Sequence, residues 1–125
     1  MGAVEDLFED DAEHPIPLVS RIDTMVTTLE KTCYYGLAIA SPLGGDSRSR
    51  ERLLRKLRNY ISDRHSSWAL KECGPPSATN TKLTVLVHPG SDTSILELLE
   101  GSRSMIEDSG FRFEISTESK ALALH

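Results

Sequence analysis

The sequence lacks any apolar run long enough to span a membrane, and its acidic start lacks the basic and apolar segments of a secretory signal. We therefore expect a cytoplasmic protein that does not contact a membrane. Metal-ligand spacing is also absent, because neither Cys33 nor Cys73 has a further Cys or His beside it at such a spacing. No metal or cofactor is predicted. In a reducing cytoplasm we expect two free thiols, and a disulfide is the alternative if the two cysteines meet.

Catalytic motifs are equally scarce. There is no G-x-S-x-G nucleophile elbow, and His88, Ser91 and Asp92 are too close in sequence for their side chains to form a catalytic set. We interpret their turn as the cap of a helix. Gly90, Ser91 and Asp92 would then lie at a helix N-terminus, where N–H groups and the helix dipole favour an anion, so they form the candidate anion site. An enzyme is not expected.

Basic residues are missing from the first part of the chain. Residues 1–13 contain six acidic residues and no Lys or Arg, whereas residues 14–125 contain the other 13 acids and all 14 bases. A run of one charge repels itself and builds no core. The length of 125 residues, with 38% hydrophobic residues, is enough for one domain. We predict an acidic, disordered arm over 1–17, a single domain over 18–117 and a frayed tail over 118–125.

Hydrophobic periodicity predicts the elements of this domain. Apolar residues at helical spacing, including Leu53, Leu57 and Tyr60, predict a helix over 48–63. A second helix is predicted to start near Asp92 or Ser94 and to end before Gly110. Aromatic, β-branched or alternating runs predict strands over 18–27, 33–41, 82–88 and 111–117, with a further short strand over 68–73.

Two amphipathic helices and four or five strands predict an α+β fold. The simplest packing is a ferredoxin-like two-layer sandwich, with a mainly antiparallel sheet and both helices on one face. The first two strands would form a hairpin through a turn at 28–32, although this turn has no Asn-Gly or Asp-Gly pair. The opposite face of the sheet would be partly exposed.

Several segments resemble a group of small bacterial domains of unknown function. The shared features are an Ile/Val-Asp strand, a helix with a Leu-x-x-Lys-Leu-x-x-Tyr core, an aliphatic strand, and a helix that leads through Gly-Phe into a last strand. In this chain they are Ile22-Asp23, then Leu53, Lys56, Leu57 and Tyr60, then LTVLVHP, then Gly110-Phe111. The resemblance covers about residues 20–116 and departs at the 74–80 loop, at Tyr34-Tyr35-Gly36 and in the acidic arm. It implies no activity, because the family has none that could be transferred.

Basic residues cluster on the first predicted helix. Six of them fall within eleven positions with Glu51 as the acid among them: Arg48, Arg50, Arg52, Arg55, Lys56 and Arg58. Such a cluster is most often a solvated face, and its functional interpretation is contact with an acidic protein surface. Nucleic acid is a poorer candidate, because the chain is acidic overall and its central strand lacks stacking aromatics. The candidate partner-binding residues here are Arg48, Arg52, Arg55 and Arg58, and the acidic arm could compete by folding onto them.

Two aromatic residues complete the candidate partner-binding set. Trp68 could anchor a partner, although a lone tryptophan more often closes the end of a core. Tyr34 and Tyr35 are adjacent on a strand, so one of them faces outward, and we assign Tyr35 to a partner or homodimer interface. The chain is therefore predicted to be a protein-interaction module of the inhibitor or immunity type. The alternative is a regulatory domain that binds a small ligand between sheet and helices.

Overall fold

The computed structural model describes residues 10–117, so residues 1–9 of the predicted arm and the predicted tail over 118–125 lie outside the described residues. The chain forms, in order, β1 (Thr24–Thr27), β2 (Cys33–Ala38), α1 (Ser47–Arg64), α2 (Ser67–Cys73), β3 (Thr81–Leu86), α3 (Thr93–Gly101), α4 (Arg103–Asp108) and β4 (Arg112–Ser116). The predicted second helix is thus divided at Ser102, whose hydroxyl donates to the Leu98 carbonyl at 2.9 Å.

The four strands form one mixed sheet in the order β1-β2-β3-β4. β1 is antiparallel to β2, whereas β2, β3 and β4 are mutually parallel. The α+β class is confirmed, but the prediction of a mainly antiparallel sheet is wrong, and the ferredoxin-like arrangement is not confirmed. The connections explain the difference. Helices α1 and α2 return the chain from the end of β2 to the start of β3, and α3 with α4 do the same before β4, which makes these neighbours parallel.

Side chains alternate between the two faces of the sheet. Both crossovers run in the same direction across the sheet, so right-handed connections place their helices on one face. Tyr35, Leu83 and Phe113 pair across the strands and belong to the core under the helices. The side chains of the opposite face are not part of the hydrophobic core cluster, although Gly36 on this face is buried and Thr84 is 6% exposed. The members of this face are Thr24, Val26, Tyr34, Gly36, Ala38, Lys82, Thr84, Leu86, Arg112, Glu114 and Ser116.

The core joins the covered face of the sheet to the apolar faces of the helices. Leu53, Leu57 and Tyr60 of α1 are each 0% exposed, as periodicity predicts. Burying one such leucine contributes about 1.5 to 3 kcal/mol. The other core members on the helices and strands are Cys33, Tyr35, Leu37, Cys73, Leu83, Val85, Ile95, Leu99, Ile106 and Phe113.

The hairpin between β1 and β2 closes without glycine. The Lys31 N–H donates to the Thr28 carbonyl at 3.0 Å, and the Thr28 N–H donates to the Thr32 carbonyl at 3.0 Å. Lys31 has φ +64°, the left-handed conformation that Asn or Gly usually supplies in such turns. The predicted hairpin is therefore present, but its strand β1 starts at Thr24 and not at residue 18.

Residues 68–73 form helix α2, so the prediction of a strand there is wrong. Ala69 and Cys73, four positions apart, point into the core as helical neighbours do. The helix ends at Gly74, whose φ of +74° suits glycine. Cys73 forms a disulfide with Cys33 of β2, with a Cα–Cα distance of 6.5 Å. The expectation of two free thiols is therefore wrong, because the helix brings the two sulfurs together.

Candidate partner-binding site

Helix α1 carries basic residues around most of its circumference, and the fold divides them into two groups. Arg52, Lys56 and Arg64 are 0%, 1% and 0% exposed. In contrast, Arg55 and Arg58 are exposed. Arginine and lysine side chains are rarely buried unless their donors are satisfied, so the buried group must have specific partners.

Two residues of the buried group, Arg52 and Lys56, hold a segment of the chain that lies beside the helix. This segment, residues 11–23, is here called the N-terminal strap, and it runs along α1 in the direction of the helix. At its start Asp11 pairs with Arg48 at 2.8 Å, and at its end the Asp23 N–H donates to the Tyr60 hydroxyl at 3.1 Å. The strap has no strand or helix of its own before β1, so its carbonyl groups need partners from elsewhere.

Arg52 supplies partners for the middle of the strap. Its Nε and Nη2 donate to the Ile16 carbonyl at 3.1 and 2.6 Å, and Nη2 also lies 3.3 Å from the Pro17 carbonyl. Burial, and then the neighbouring charge of Arg48, lower the pKa of Arg52. Ile16 is 2% exposed and belongs to the core. The folded domain thus includes residues that precede the predicted start at residue 18.

Lys56 holds the end of the strap with all three donors of its ammonium group. Its Nζ donates to the carbonyls of Leu18 and Arg21, the latter at 2.6 Å, and to Asp23 Oδ1 at 2.8 Å. The Asp23 carboxylate supplies the opposite charge, and its side chain is 34% exposed. A buried ammonium with three oxygen partners fixes one geometry for the strap, because removing the ammonium takes a donor from all three oxygens and leaves Leu18 O with only its bond from the Arg21 N–H.

At the other end of α1, the buried Arg64 holds two segments that follow the helix. Its Nε donates to Thr81 Oγ1 at 2.8 Å, and its Nη2 donates to the Gly74 carbonyl at 2.9 Å. These bonds tie the end of α2 and the start of β3 to α1. Burial lowers the pKa of the Arg64 guanidinium.

The exposed arginines of α1 form the outer basic surface, defined here as Arg48, Arg50, Arg55 and Arg58. The Arg48 side chain is 40% exposed, and the other three residues are exposed. Glu51 lies among them on the solvent side. The pKa of Asp11 is lowered chiefly by its hydrogen bond with Arg48, so this carboxylate keeps its charge beside the surface. The surface retains three of the four arginines predicted to bind a partner, and Arg52 is not part of it.

The two aromatic residues of the predicted set lie in different environments. Tyr35 is 2% exposed, and its hydroxyl donates to Asp63 Oδ2 at 2.8 Å. Burial and this carboxylate raise the pKa of Tyr35. Its neighbour Tyr34 is the outward tyrosine, because alternate residues of β2 face opposite sides. Trp68 is 38% exposed, and its indole Nε1 lies 3.4 Å from Asp63 Oδ1.

The candidate anion site uses its polar groups within the fold. Asp92 caps α3 by accepting a hydrogen bond from the Ser94 N–H at 2.9 Å, and hydrogen bonding from Ser94, its side chain first and its backbone second, lowers the pKa of Asp92. Ser91 Oγ accepts from the Leu43 N–H, also at 2.9 Å. The Gly90 N–H donates to His88 Nδ1. A carboxylate already occupies the helix N-terminus, so its negative charge disfavours a bound anion.

A contact between serine, histidine and aspartate at the start of α1 was not evident from the sequence. His14 Nε2 lies 3.0 Å from Ser49 Oγ, and Ser49 Oγ donates to Asp46 Oδ1 at 2.8 Å. His14 Nδ1 accepts from the Ile16 N–H at 2.9 Å, so the ring proton is on Nε2 and points at the serine. A nucleophilic serine requires the opposite arrangement, in which the imidazole accepts its proton. The cluster therefore caps α1 and holds the strap.

A shallow, open groove of about 470 Å³ lies beside the outer basic surface, between α1 and the helices that follow β3. Arg50 and Glu97 place opposite charges on its walls. The Ser94 hydroxyl is buried there without a hydrogen-bond partner among the described side chains. The residues that line the groove are Arg50, Ser94, Glu97, Leu98, Gly101 and Ser102.

Comparisons of the chain with protein families, with curated proteins and with solved structures found no match. The resemblance to a bacterial family of unknown function therefore stays a prediction. Within residues 10–117, no three His, Cys, Asp or Glu side chains come together as a metal site would require. None of the described helices combines the length and the apolarity that crossing a membrane demands.

Proposed function

We propose that this chain is a small bacterial protein-interaction module, of the inhibitor or immunity type, that binds an acidic protein surface. The observation that carries the proposal is the outer basic surface of α1. The helix uses Arg52, Lys56 and Arg64 to hold the fold, yet it presents further arginines to solvent, where they contribute little to stability. Exposed charges on a rigid element favour fast encounter with an oppositely charged partner.

The buried residues make the surface suitable for recognition. The strap, the 74–80 loop and the sheet are all tied to α1 by buried hydrogen bonds. A helix held on several sides positions its outer arginines before a partner arrives, so less ordering entropy is lost on binding. Arginine is also suited to carboxylates, because its planar guanidinium can make two parallel hydrogen bonds to one of them.

The experiment compares capture of partners from a lysate of the source organism by two matched variants. Arg55→Ser/Arg58→Ser removes two charges from the outer basic surface, and Lys31→Ser/Lys71→Ser removes two exposed charges elsewhere. We expect the first variant to lose a partner that the wild type and the second variant retain, and we expect added salt to weaken capture. A partner retained equally by both variants, or no acidic partner with the wild type, would contradict the proposal.

A second candidate function, a regulatory domain for a small ligand, is supported by the groove beside Arg50. A zwitterionic ligand could pair its carboxylate with Arg50 and its ammonium with Glu97, which both line the groove. Amino acids are the simplest probes of this class. A rise in melting temperature with an amino acid, lost in Arg50→Ser but retained in Arg58→Ser, would favour this function over the first.

The remaining functional expectations are part of the same proposal. We propose a non-catalytic protein, supported by the direction of the hydrogen bonds from His14 through Ser49 to Asp46. Nucleic acid stays the poorer partner. A cytoplasmic location stays part of the proposal, and the disulfide stands against it, because disulfides persist chiefly in oxidising compartments. The oxidation state of Cys33 and Cys73 in intact cells, read by alkylation and mass spectrometry, tests the location.

A further inference from the structure

The start of the strap places a carboxylate against the outer basic surface. Asp11 Oδ2 pairs with Arg48 Nη2 at 2.8 Å. Both side chains keep contact with solvent, since 40% of the Arg48 side chain and 28% of the Asp11 side chain are exposed. A carboxylate of the chain itself therefore makes the kind of contact that we propose for the carboxylates of the partner.

The position of this carboxylate is set by the strap and not by the ion pair alone. The Asp11 N–H donates to the Pro17 carbonyl at 2.9 Å, and Asp11 Oδ1 accepts from the Glu13 N–H at 3.1 Å. The same Pro17 carbonyl accepts a hydrogen bond from Arg52 at 3.3 Å. The contacts between the strap and Arg52 therefore hold an acidic residue beside the start of α1.

Further acidic residues precede Asp11 in the sequence. Asp10 is its direct neighbour and is exposed. Glu9 comes two positions before Asp11, and Asp6 and Glu5 come five and six positions before it. An extended chain spans about 3.3 Å per residue, so five to six residues cover about 16 to 20 Å. No basic residue lies among residues 1–13 to neutralise these charges.

Two more arginines of the outer basic surface lie within this reach. Arg55 is exposed and follows Arg48 by seven residues, or about two helical turns. The two arginines therefore lie on the same side of α1, about 10 Å apart along its axis. Arg58 is also exposed and lies about 15 Å from Arg48 along the axis. Acidic residues before Asp11 can thus meet these arginines while Asp11 keeps its place.

We infer that residues 1–13, here called the acidic segment, are a built-in competitor that binds the outer basic surface and must be displaced before the partner binds. The inference rests on the proposed function, because it assigns a regulation to the same surface. A single exposed ion pair contributes little, but a tethered segment with several charges acts at an effective concentration of about millimolar. A segment that covers the surface for about four-fifths of the time raises the apparent dissociation constant of the partner about fivefold.

Fluorescence anisotropy with a labelled hexaglutamate peptide, as a probe rich in carboxylates, tests the inference on variants of the full chain. Asp6→Asn/Glu9→Gln/Asp11→Asn, here called the neutralised variant, removes three charges from the acidic segment. The amide at position 11 keeps an oxygen that can accept from the Glu13 N–H, so the strap retains this contact. Far-UV circular dichroism checks that the variant is folded.

Glu30→Gln/Glu72→Gln/Asp108→Asn is the matched control, because it removes the same charge from exposed residues elsewhere. At about 0.1 M salt, charges separated by more than about 10 Å are largely screened, so the control should bind the probe like the wild type. The neutralised variant should bind it about fivefold more tightly than the wild type. This difference should disappear at about 1 M salt, where the Debye length falls to about 3 Å.

The possible failures are distinguishable. Equal affinities of the neutralised variant and the control would overturn the inference, and the proposed function would still stand if Arg55→Ser/Arg58→Ser abolished probe binding. A probe that binds no variant would contradict the proposed function, and the inference with it. A second reading needs no probe: in ¹H–¹⁵N spectra the Arg55 side-chain Nε–H signal should shift in the neutralised variant and not in the control. An unshifted signal would overturn the contact itself.

Discussion

Reducing the Cys33–Cys73 disulfide should remove a large part of the stability of this domain. The bond connects β2 to the end of α2 across a sequence separation of 40 residues. Both cysteines are buried, at 0% and 6% exposure. The disulfide also fixes the end of a helix of seven residues, which is too short to be stable without tertiary contacts.

The magnitude follows from the loop that the bond closes. A loop of about 40 residues loses about 13 cal/mol/K of unfolded-state entropy on cross-linking, which is about 4 kcal/mol at 25 °C. With a urea dependence of about 1.5 kcal/mol/M, the midpoint of unfolding should fall by about 2.5 M. Unfolding is measured with and without dithiothreitol, by far-UV circular dichroism and by the fluorescence of Trp68, which lies on the same helix as Cys73.

The variant Cys33→Ala/Cys73→Ala provides the control. It should be as unstable as the reduced wild type or slightly less stable, because two buried sulfurs are lost, and it should not respond to dithiothreitol. A wild-type chain that is fully reduced, as shown by mass spectrometry, yet loses less than about 1 kcal/mol would refute the reasoning from loop closure. Thiols found free in the untreated protein would contradict the pairing itself.

Three further predictions concern the strap and the loops. Lys56→Met should lower the free energy of unfolding by about 2 to 4 kcal/mol in urea titrations, because the Arg21 carbonyl and the Asp23 carboxylate lose the ammonium that they share; an effect as small as that of an exposed arginine would show that the strap does not need this residue. Burial, Arg52 and Arg48 lower the pKa of His14, against the opposing effect of Asp11 and Asp46, so the unfolded chain binds a proton more readily than the folded chain. Stability should therefore fall as the pH drops below about 6.5, and His14→Gln should reduce this dependence; an unchanged pH profile would contradict the assignment. Gly110→Ala should destabilise the fold by about 2 kcal/mol or more in thermal unfolding, because φ is +95° and a Cβ would lie 2.6 Å from the Pro76 carbonyl oxygen, whereas Gly101→Ala, whose Cβ meets nothing within 4 Å, should be neutral or stabilising.

Elements with strong periodicity could be predicted from the sequence. The predicted helix over 48–63 is α1, which is longer by one residue at each end; its apolar stripe and the capping Asp46 both indicate a helix. The strands β3 and β4 were similarly evident from alternation and β-branched residues. The parallel arrangement was not, because strand direction depends on how the connecting helices cross the sheet and not on the strand sequences.

The candidate site was predictable in part, for a related reason. Charge and helical spacing identified the basic residues of α1, but no charge pattern shows which side of the helix meets another segment. Arg52 and Lys56 are buried because the strap lies over them and its carbonyl groups accept their hydrogen bonds. In the same way, the choice between Tyr34 and Tyr35 depends on the strand register, since a shift of one residue exchanges the two faces.

The central claim is that α1 uses one set of basic residues to hold the fold and another to bind a partner. Its most direct test measures unfolding free energy and partner capture side by side for Arg52→Ser and for Arg55→Ser/Arg58→Ser. We predict that the first variant loses about 2 kcal/mol or more of stability, since it removes the two hydrogen bonds that Arg52 donates to the buried Ile16 carbonyl, while the second keeps its stability within about 0.5 kcal/mol and loses the partner. A stable Arg52→Ser, or an Arg55→Ser/Arg58→Ser that captures partners like the wild type, would contradict the account.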